Sequence, residues 1–501
     1  MGVLEASFAG LVSVLSWPTF GFLMIGVAVG LIFGAIPGIG GITAFIILFP
    51  LLLTLGAEAA FALIIGLFAV TTTSDTVSSV LLGIPGTSGS QATILDGHAM
   101  AQKGEAARAL GAAYVASAIG GVFGALVLAV GLQILRPLVL LLQSPEFFAL
   151  GVWGITMVSV LSGRTPIKGI AMGVLGLMAA TVGIEMTIGM ERYTFGQMYL
   201  MDGIPAGLVA LGLFGIPELM SLAIGRTSIA RKAAPTDLLR NQVQGAMDVL
   251  KHWTLVFRCA TVGIIVGFIP GLGTSVVDWI AYGHAMQTCP GARDTFGKGD
   301  VRGVIAPESA NNAKDGGALI PTLAFGIPGS LSMVLLLSVL VSLGITPGRD
   351  MMTTHLNLTF TIIWSLALAN IVGTGICLAA TNVLARVVFL PYSWVIATIV
   401  PVVFLAAFSW NGTEGDLYTL VLFSALGYFM KLWGWPRPPF ILGFVLGPIL
   451  ENRFFITLNL YGLGWLYRPY FLLIMAMIIG TLLYPVFEER RQKAKADRTV
   501  A

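Results

Sequence analysis

Charge is what this chain has least of. Of its 501 residues, 10% are Asp, Glu, Lys or Arg and 56% are hydrophobic, whereas a soluble globular protein carries roughly 25% charged residues. So few charges cannot cover a water-facing surface, which excludes a soluble fold. Cysteine is also scarce: Cys259, Cys289 and Cys377 are scattered and odd in number, which speaks against a disulfide framework or a thiolate metal site. The four histidines (His98, His252, His284, His355) lie far apart, with neither His-x-x-x-His nor carboxylate spacing. No metal is expected beyond a transported ion, and no cofactor. Lys and Arg are absent before Lys103, and Glu5 is the only charge in the first segment. The basic n-region of a secretory signal peptide is therefore missing.

Long apolar runs are abundant, among them Trp17–Phe33, Ala109–Val130, Ile204–Ile224 and Phe360–Ala380. A helix needs about 20 residues to cross the hydrocarbon core, so the runs imply roughly 10–13 spanning helices plus re-entrant pieces. The expected fold is all-α: a polytopic integral membrane protein. Sixty-two glycines fit helices that pack closely through small residues. Basic residues cluster in two places. Arg226, Arg231, Lys232, Arg240, Lys251 and Arg258 lie mid-chain, and Arg490, Arg491, Lys493, Lys495 and Arg498 lie in the tail. The positive-inside rule puts both stretches in the cytoplasm.

Gly34-Ala35-Ile36-Pro37-Gly38-Ile39-Gly40 returns as Gly267-Phe268-Ile269-Pro270-Gly271-Leu272-Gly273, and Gly83-Ile84-Pro85-Gly86 returns as Gly326-Ile327-Pro328-Gly329. The first pair is offset by 233 residues (270 minus 37) and the second by 243 (328 minus 85). This is an internal duplication. Residues 1–225 are read as the first transmembrane repeat and 226–252 as a basic cytoplasmic linker. Residues 253–487 are the second repeat and 488–501 a cytoplasmic tail. An uncharged, external N-terminus and a cytoplasmic linker require an odd number of crossings in the first repeat, hence two repeats of inverted topology.

Proline removes a backbone donor and glycine lets the chain turn, so each motif breaks a helix. Unsatisfied backbone in hydrocarbon costs several kcal/mol per group, so such breaks survive only in protein or beside a watery cavity. The breaks are expected to form broken or re-entrant hairpins whose tips converge on one site. Half-helix N-termini attract carboxylates, while unwound carbonyls suit Na⁺. The candidate substrate residues are therefore Pro37, Gly38, Gly40, Ser74, Pro85, Gly86, Thr87 and Ser88 in the first repeat. In the second they are Pro270, Gly271, Gly273, Asn311, Asn312, Pro328 and Gly329. Thr73, Asp75 and Asn311 are the candidate cation ligands, because an intramembrane carboxylate is costly and usually functional.

Each candidate has a plainer alternative. Asn311 and Asn312 serve equally as interhelical glue, Asp75 as a buried acceptor, and Lys314 as a local partner of Asp315 or Glu308. Glu185, Glu191 and Arg192 read as an interfacial loop, and His98 as shaping a hairpin exit. Trp433, Trp435, Tyr461, Trp465 and Tyr467 with Arg437 and Arg468 read as an interfacial belt. Gly-x-Ile-Pro-Gly-x-Gly follows no strand and is not a dinucleotide fingerprint.

Three blocks carry a family resemblance: Gly83 through Thr93 with Asp96-Gly97-His98-Ala99-Met100-Ala101, Ala306-Pro307-Glu308-Ser309-Ala310-Asn311-Asn312-Ala313 through Gly329, and Arg192-Tyr193-Thr194-Phe195-Gly196 followed by Gly212-Leu213-Phe214. In this order the chain resembles, nearly end to end, the large membrane subunit of the tripartite tricarboxylate transporters. The resemblance implies a secondary active transporter of the bacterial inner membrane rather than an enzyme. It implies symport of citrate or another di- or tricarboxylate or related organic acid with Na⁺ or H⁺. The implied partners are a small membrane subunit and a periplasmic solute-binding protein, with no nucleic acid. The chain departs from many relatives at Lys314-Asp315, where two charges stand beside the asparagine pair. The alternatives are a passive channel and, more remotely, an intramembrane hydrolase using Ser88 or Ser90 with His98.

Overall fold

The computed structural model describes residues 2–37, 40–161, 165–185, 189–225, 238–271, 274–388 and 392–483. Apart from one two-residue hairpin, the regular structure among them is helical. The first half opens with α1 (Val3–Leu15), α2 (Thr19–Ala35), α3 (Gly40–Thr54), α4 (Ala57–Leu82), α5 (Thr93–Gln102) and α6 (Ala106–Leu141). Then follow α7 (Ser144–Leu161), α8 (Pro166–Ala179), the antiparallel pair β1 (Gly183–Ile184) and β2 (Glu191–Arg192), and α9 (Met198–Met201). A π turn at Leu211–Gly215 joins α10 (Ala206–Ala210) to α11 (Ile216–Gly225).

The second half comprises α12 (Leu238–Lys251), α13 (Trp253–Phe268), α14 (Thr274–Thr288), α15 (Ala292–Thr295), α16 (Arg302–Phe325) and α17 (Leu331–Ser342). It continues with α18 (Arg349–Met352), α19 (Leu356–Ala379), α20 (Thr381–Val388), α21 (Tyr392–Phe408), α22 (Glu414–Leu432) and α23 (Arg437–Tyr461), and closes on α24 (Pro469–Leu483).

This is an all-α polytopic membrane protein. Five described helices (α4, α6, α7, α19, α23) are long and apolar enough to cross a membrane, or seven if the pairs α1–α2 and α12–α13, bent by 67° and 77°, each count once. Six shorter apolar helices accompany them, as expected where breaks cut spans into halves. The 24-residue α16 is not among them and carries Glu308, Asn311, Asn312, Lys314 and Asp315, all buried. Protein, not lipid, surrounds it, which is the condition for a polar helix at membrane depth.

The duplication is visible atom by atom. A Cβ on Gly30 would meet the Leu67 carbonyl oxygen at 2.5 Å, and one on Gly263 the Ala310 oxygen at 2.3 Å. Gly34 sits likewise on Thr71 and Gly267 on Lys314. These pairs repeat with the sequence offsets, 233 for the glycines (263 minus 30, 267 minus 34) and 243 for their partners (310 minus 67, 314 minus 71). Small residues let the helix backbones touch, so α2 lies on α4 as α13 lies on α16. The next long helices also correspond: Gly124 of α6 rests on Ala313 of α16, and Gly373 of α19 on Val70 of α4. Each half thus lends its long helix to the other half's polar helix.

Residues that touch their own counterparts mark a two-fold axis. Asn312 donates to the carbonyl of Ala69, its equivalent (312 minus 243), at 3.3 Å. Gly121 packs on Asn370, offset by 249 like Gly124 and Gly373. Along this contact α6 and α19 run antiparallel, because Thr374 reaches back to the Tyr114 carbonyl at 3.2 Å. Equivalent spans that run antiparallel belong to repeats of inverted topology. With offsets of 235 (245 minus 10) and 249 (361 minus 112), Gly10 of α1 against Thr361 matches Gly245 of α12 against Ala112. Residues 238–251, inside the expected linker, therefore form the counterpart of α1; residues 226–237 and 484–501 lie outside the described residues.

Candidate functional site

Both Gly-Ile-Pro-Gly motifs end a helix in the same way. Gly83 (φ 67°) terminates α4 and Gly326 (φ 71°) terminates α16, left-handed positions that favour glycine. The polar stretches before them are continuous helix rather than unwound chain. After Gly83 the backbone folds back so tightly that a Cβ on Gly86 would lie 2.6 Å from the Asp75 carbonyl oxygen. Thr87 then donates its hydroxyl to Asp75 Oδ2, while Oδ1, fully buried, meets no hydrogen-bond partner among the described residues.

Above this carboxylate opens a cavity of about 510 Å³, within the size range of small-molecule sites. Gly40 and Gly41 of the first break line it, as do Pro85, Gly86, Thr87 and Ser88 of the second. The other walls carry Thr71 and Thr72 of α4, Lys314 and Asp315 of α16, and Leu331 and Ser332 at the start of α17. The first N–H groups of a helix have no partner within it. The capping residue Ser330 makes no side-chain cap, and its hydroxyl has no partner among the described residues. The positive end of α17 and the Lys314 ammonium thus border one polar space.

Sequence reasoning missed part of the wall. Phe214, Glu218 and Arg437 line the cavity. Arg437, read above with the interfacial belt, pairs with Glu218 at 2.8 Å, donates to the Leu213 carbonyl at 3.0 Å, and lies 4.9 Å over the Phe214 ring. Lys431 completes the network, 2.7 Å from Glu218. The π turn at Leu211–Gly215 departs from the regular ladder where Leu213 accepts this bond; such turns often mark functional positions. Glu218, a carboxylate in the apolar run Ile204–Ile224, was the available signal.

The expected site residues do not all come together. Pro37 is buried and does not line the cavity, and Ser74 bonds the Gly30 carbonyl at 3.2 Å between α4 and α2. Gly38 and Gly273 lie outside the described residues. Pro270, Gly271, Pro328 and Gly329 do not line the cavity, and Gly271 packs on Val158 and Leu161 of α7. Asn312 spends its amide on Ala69, Thr73 and Asn370, at 3.3, 2.8 and 2.7 Å. That is the interhelical contact weighed as its alternative. Asn311 donates to the Thr72 carbonyl at 3.3 Å and receives Lys314 on its carbonyl and amide oxygens at 2.5 and 2.7 Å. Residues two apart on a helix do not face each other, so Thr73 looks toward Asn312 while Asp75 looks toward Thr87.

Further buried acids join the halves outside the cavity. Glu308 accepts from Thr93 at 2.7 Å and Ser117 at 3.1 Å. Asp278 accepts from the Ala92 N–H at 2.8 Å. Asp96 accepts from Tyr282 at 2.9 Å and the Gly299 N–H at 2.8 Å. His98 contacts the Val80 carbonyl at 3.0 Å, a local structural role. No group of three or more His, Cys, Asp or Glu side chains fit to hold a metal occurs among the described residues.

Inverted helical repeats around a polar cavity at paired helix breaks define a membrane transport protein. The sequence profile of the Tripartite tricarboxylate transporter TctA family matches residues 20–442, and the chain belongs to that family. It is the membrane component of a tripartite transporter, and so one that works with partner subunits. Two proteins of Agrobacterium vitis are similar. "Uncharacterized 52.8 kDa protein in TAR-I ttuC' 3'region" is 31% identical over 429 residues, 86% of this chain and 85% of its own length. "Uncharacterized protein in TAR-II ttuC' 3'region" is 32% identical over 191 residues, 38% of this chain and 78% of its own. No solved structure matches.

Proposed function

We propose that this protein imports a di- or tricarboxylate, or a related organic acid, by Na⁺ or H⁺ symport across the bacterial inner membrane. It receives the acid from a periplasmic binding protein and works with a small membrane subunit. The carrying observation is the cavity in which Thr87 and Ser88, the start of α17 and Lys314 surround a polar space, with Asp75 buried beneath Thr87. The carboxylates are held by the ammonium, the hydroxyls and the helix end. Asp75 carries the coupling cation, since a buried carboxylate without a full set of partners is costly unless neutralised. Moving a dianion inward against an inside-negative potential costs about 2.3 kcal/mol per charge per 100 mV, and co-bound cations offset that cost. On the positive-inside reading the end of α11, which leads on to the basic stretch at Arg226–Lys232, lies on the cytoplasmic side, and the cavity wall that α11 forms is assigned to that side with it.

The test is uptake of labelled citrate, succinate and benzoate into proteoliposomes holding this protein and its partner subunits, under a Na⁺ gradient, a proton gradient, both or neither. Uptake of one of them that follows one gradient is expected; uptake indifferent to both overturns the coupling. Asp75→Asn keeps the side-chain size and the bond from Thr87 but removes the charge. It should abolish gradient dependence, and wild-type coupling in this variant would take Asp75 out of the site.

A further inference from the structure

A second cavity, of about 1010 Å³, lies at the far end of the same helices. Ser332 of α17 and Pro438 of α23 border the first cavity, while Ser338 and Phe444 border the second. Six residues separate the members of each pair (338 minus 332, 444 minus 438), which is about 9 Å of helix. Between them Met333–Leu337 and Pro439–Gly443 are buried without exception. Two polar cavities are thus aligned end to end across about two turns of apolar packing.

The β1–β2 hairpin roofs the second cavity and brings Arg192 to Glu451, where the guanidinium makes two parallel bonds of 2.6 and 2.9 Å. The neighbouring Arg453 also lines this cavity, yet its guanidinium makes no hydrogen bond or ion pair among the described residues. Its guanidinium lies 5.6 Å over the Phe147 ring, and it is only partly exposed. The Asp350 carboxylate lies close enough to act on it electrostatically, but no ion pair joins the two, so the fork of donors is left open. Planar, and carrying several donors in a fork, the guanidinium is matched to a carboxylate. Asn452 is exposed beside it and adds an amide.

We propose that this cavity is a second binding station for the organic acid, at the mouth opposite the Asp75 cavity, with Arg453 as the receiving guanidinium. The proposal rests on the transport reading and deepens it. The acid is captured first on Arg453, and the apolar stretch of α17 and α23 separates that station from the deeper cavity. Glu185, Asp202 and Glu451 line the same cavity, so recognition of the acid rests on the Arg453 fork and not on a net positive field.

The experiment reads binding without transport. Asn452→Cys is placed in a chain whose three native cysteines are alanine, with Ser342→Cys at the same cavity as a second reporter. The protein, with its partner subunits in lipid vesicles, is reacted with a membrane-impermeant thiol reagent in the presence of citrate, succinate or benzoate. At least one acid should slow modification saturably, while the trimethyl ester of citrate should not. Arg453→Gln should raise the half-protecting concentration at least tenfold, and Lys314→Thr should leave it unchanged. The proposal is overturned if none of the acids protects either reporter, or if protection survives Arg453→Gln unaltered. Uptake in the same vesicles is scored separately. Protection without uptake sinks the transport reading and keeps the station, and uptake without protection does the reverse.

Discussion

Replacing Gly86 by alanine would place a methyl group 2.6 Å from the Asp75 carbonyl oxygen and 2.7 Å from Asp75 Cα and Cβ. These neighbours are mostly backbone, so either the Gly83–Ser88 turn or α4 itself has to move. Overpacking of this kind costs about 1–3 kcal/mol. The duplication supplies a matched control. A Cβ on Gly329 would lie 2.5 Å from the Gly267 oxygen and 2.8 Å from Cα of Ala318, the counterpart of Asp75 (318 minus 243). Gly86→Ala and Gly329→Ala should therefore lower unfolding midpoints in detergent by similar amounts.

Their effects on transport should differ. Gly86 lines the cavity and holds the turn that carries Thr87 onto Asp75, whereas Gly329 backs an alanine away from the cavity lining. If the strain is expressed in the site, 1–3 kcal/mol corresponds to a loss of roughly 5- to 150-fold in uptake. Gly329→Ala should retain uptake in proportion to the protein that remains folded. Equal uptake defects in two equally stable variants would refute a site confined to the first repeat's breaks. Normal uptake by a destabilised Gly86→Ala would reduce that turn to packing.

Two further outcomes test the architecture. Cysteines introduced at Gly2 and Arg240, both exposed and near the starts of equivalent helices, should react with impermeant reagents from opposite sides of the membrane; labelling from one side would contradict inverted topology. Asn312→Leu should cost about 1–2 kcal/mol, because it strips Asn370 Oδ1 and Thr73 of a donor at the pseudo-two-fold axis. The Asn312→Leu/Asn370→Leu double variant should lose less than the sum of the two single variants in reversible unfolding, and strict additivity would mean the two amides are not coupled.

The fold was legible in the sequence because its two strongest signals, charge scarcity and repeated Pro-Gly breaks, act through local physics. Glycine and proline disrupt a helix through their own backbone, and the offsets of their motifs recur in the packing of Gly30 on Leu67 and Gly263 on Ala310. The polar stretches were harder to read. Thr71–Ser79 and Glu308–Gly317 contain residues with moderate helix propensity, yet both are unbroken helix, buried by the surrounding protein and with most of their polar side chains bonded. Convergence in space was the least legible property. Sequence symmetry gives the second repeat's breaks the same standing as the first's, but the cavity wall takes Gly40 and Gly86 without Gly271 or Gly329. Arg437 was hidden by its company: a tryptophan-rich neighbourhood reads as membrane interface, and only folding shows that its partner is Glu218, 219 residues away.

A symmetric fold need not make a symmetric site. Thr71 and Thr72 of α4 are the counterparts of Lys314 and Asp315 of α16 (314 minus 71 and 315 minus 72 both give 243), and all four line the same cavity. The pseudo-two-fold thus sets equivalent positions across one polar space, and the sequence has made one side hydroxyl and the other charged. Lys314 is 3% exposed and tethered to Asn311, so its ammonium is fixed rather than mobile. Lys314→Thr restores the symmetry and removes that charge. A hydrogen bond to a charged group contributes about 1.5–3 kcal/mol, so KM for a bound carboxylate should rise roughly 10- to 150-fold. A purely structural role for Lys314 would weaken every substrate alike through Asn311. An electrostatic role should penalise citrate more than succinate and succinate more than benzoate. Uptake kinetics for the three acids decide between them, and a uniform change in KM, or none, would remove Lys314 from substrate recognition.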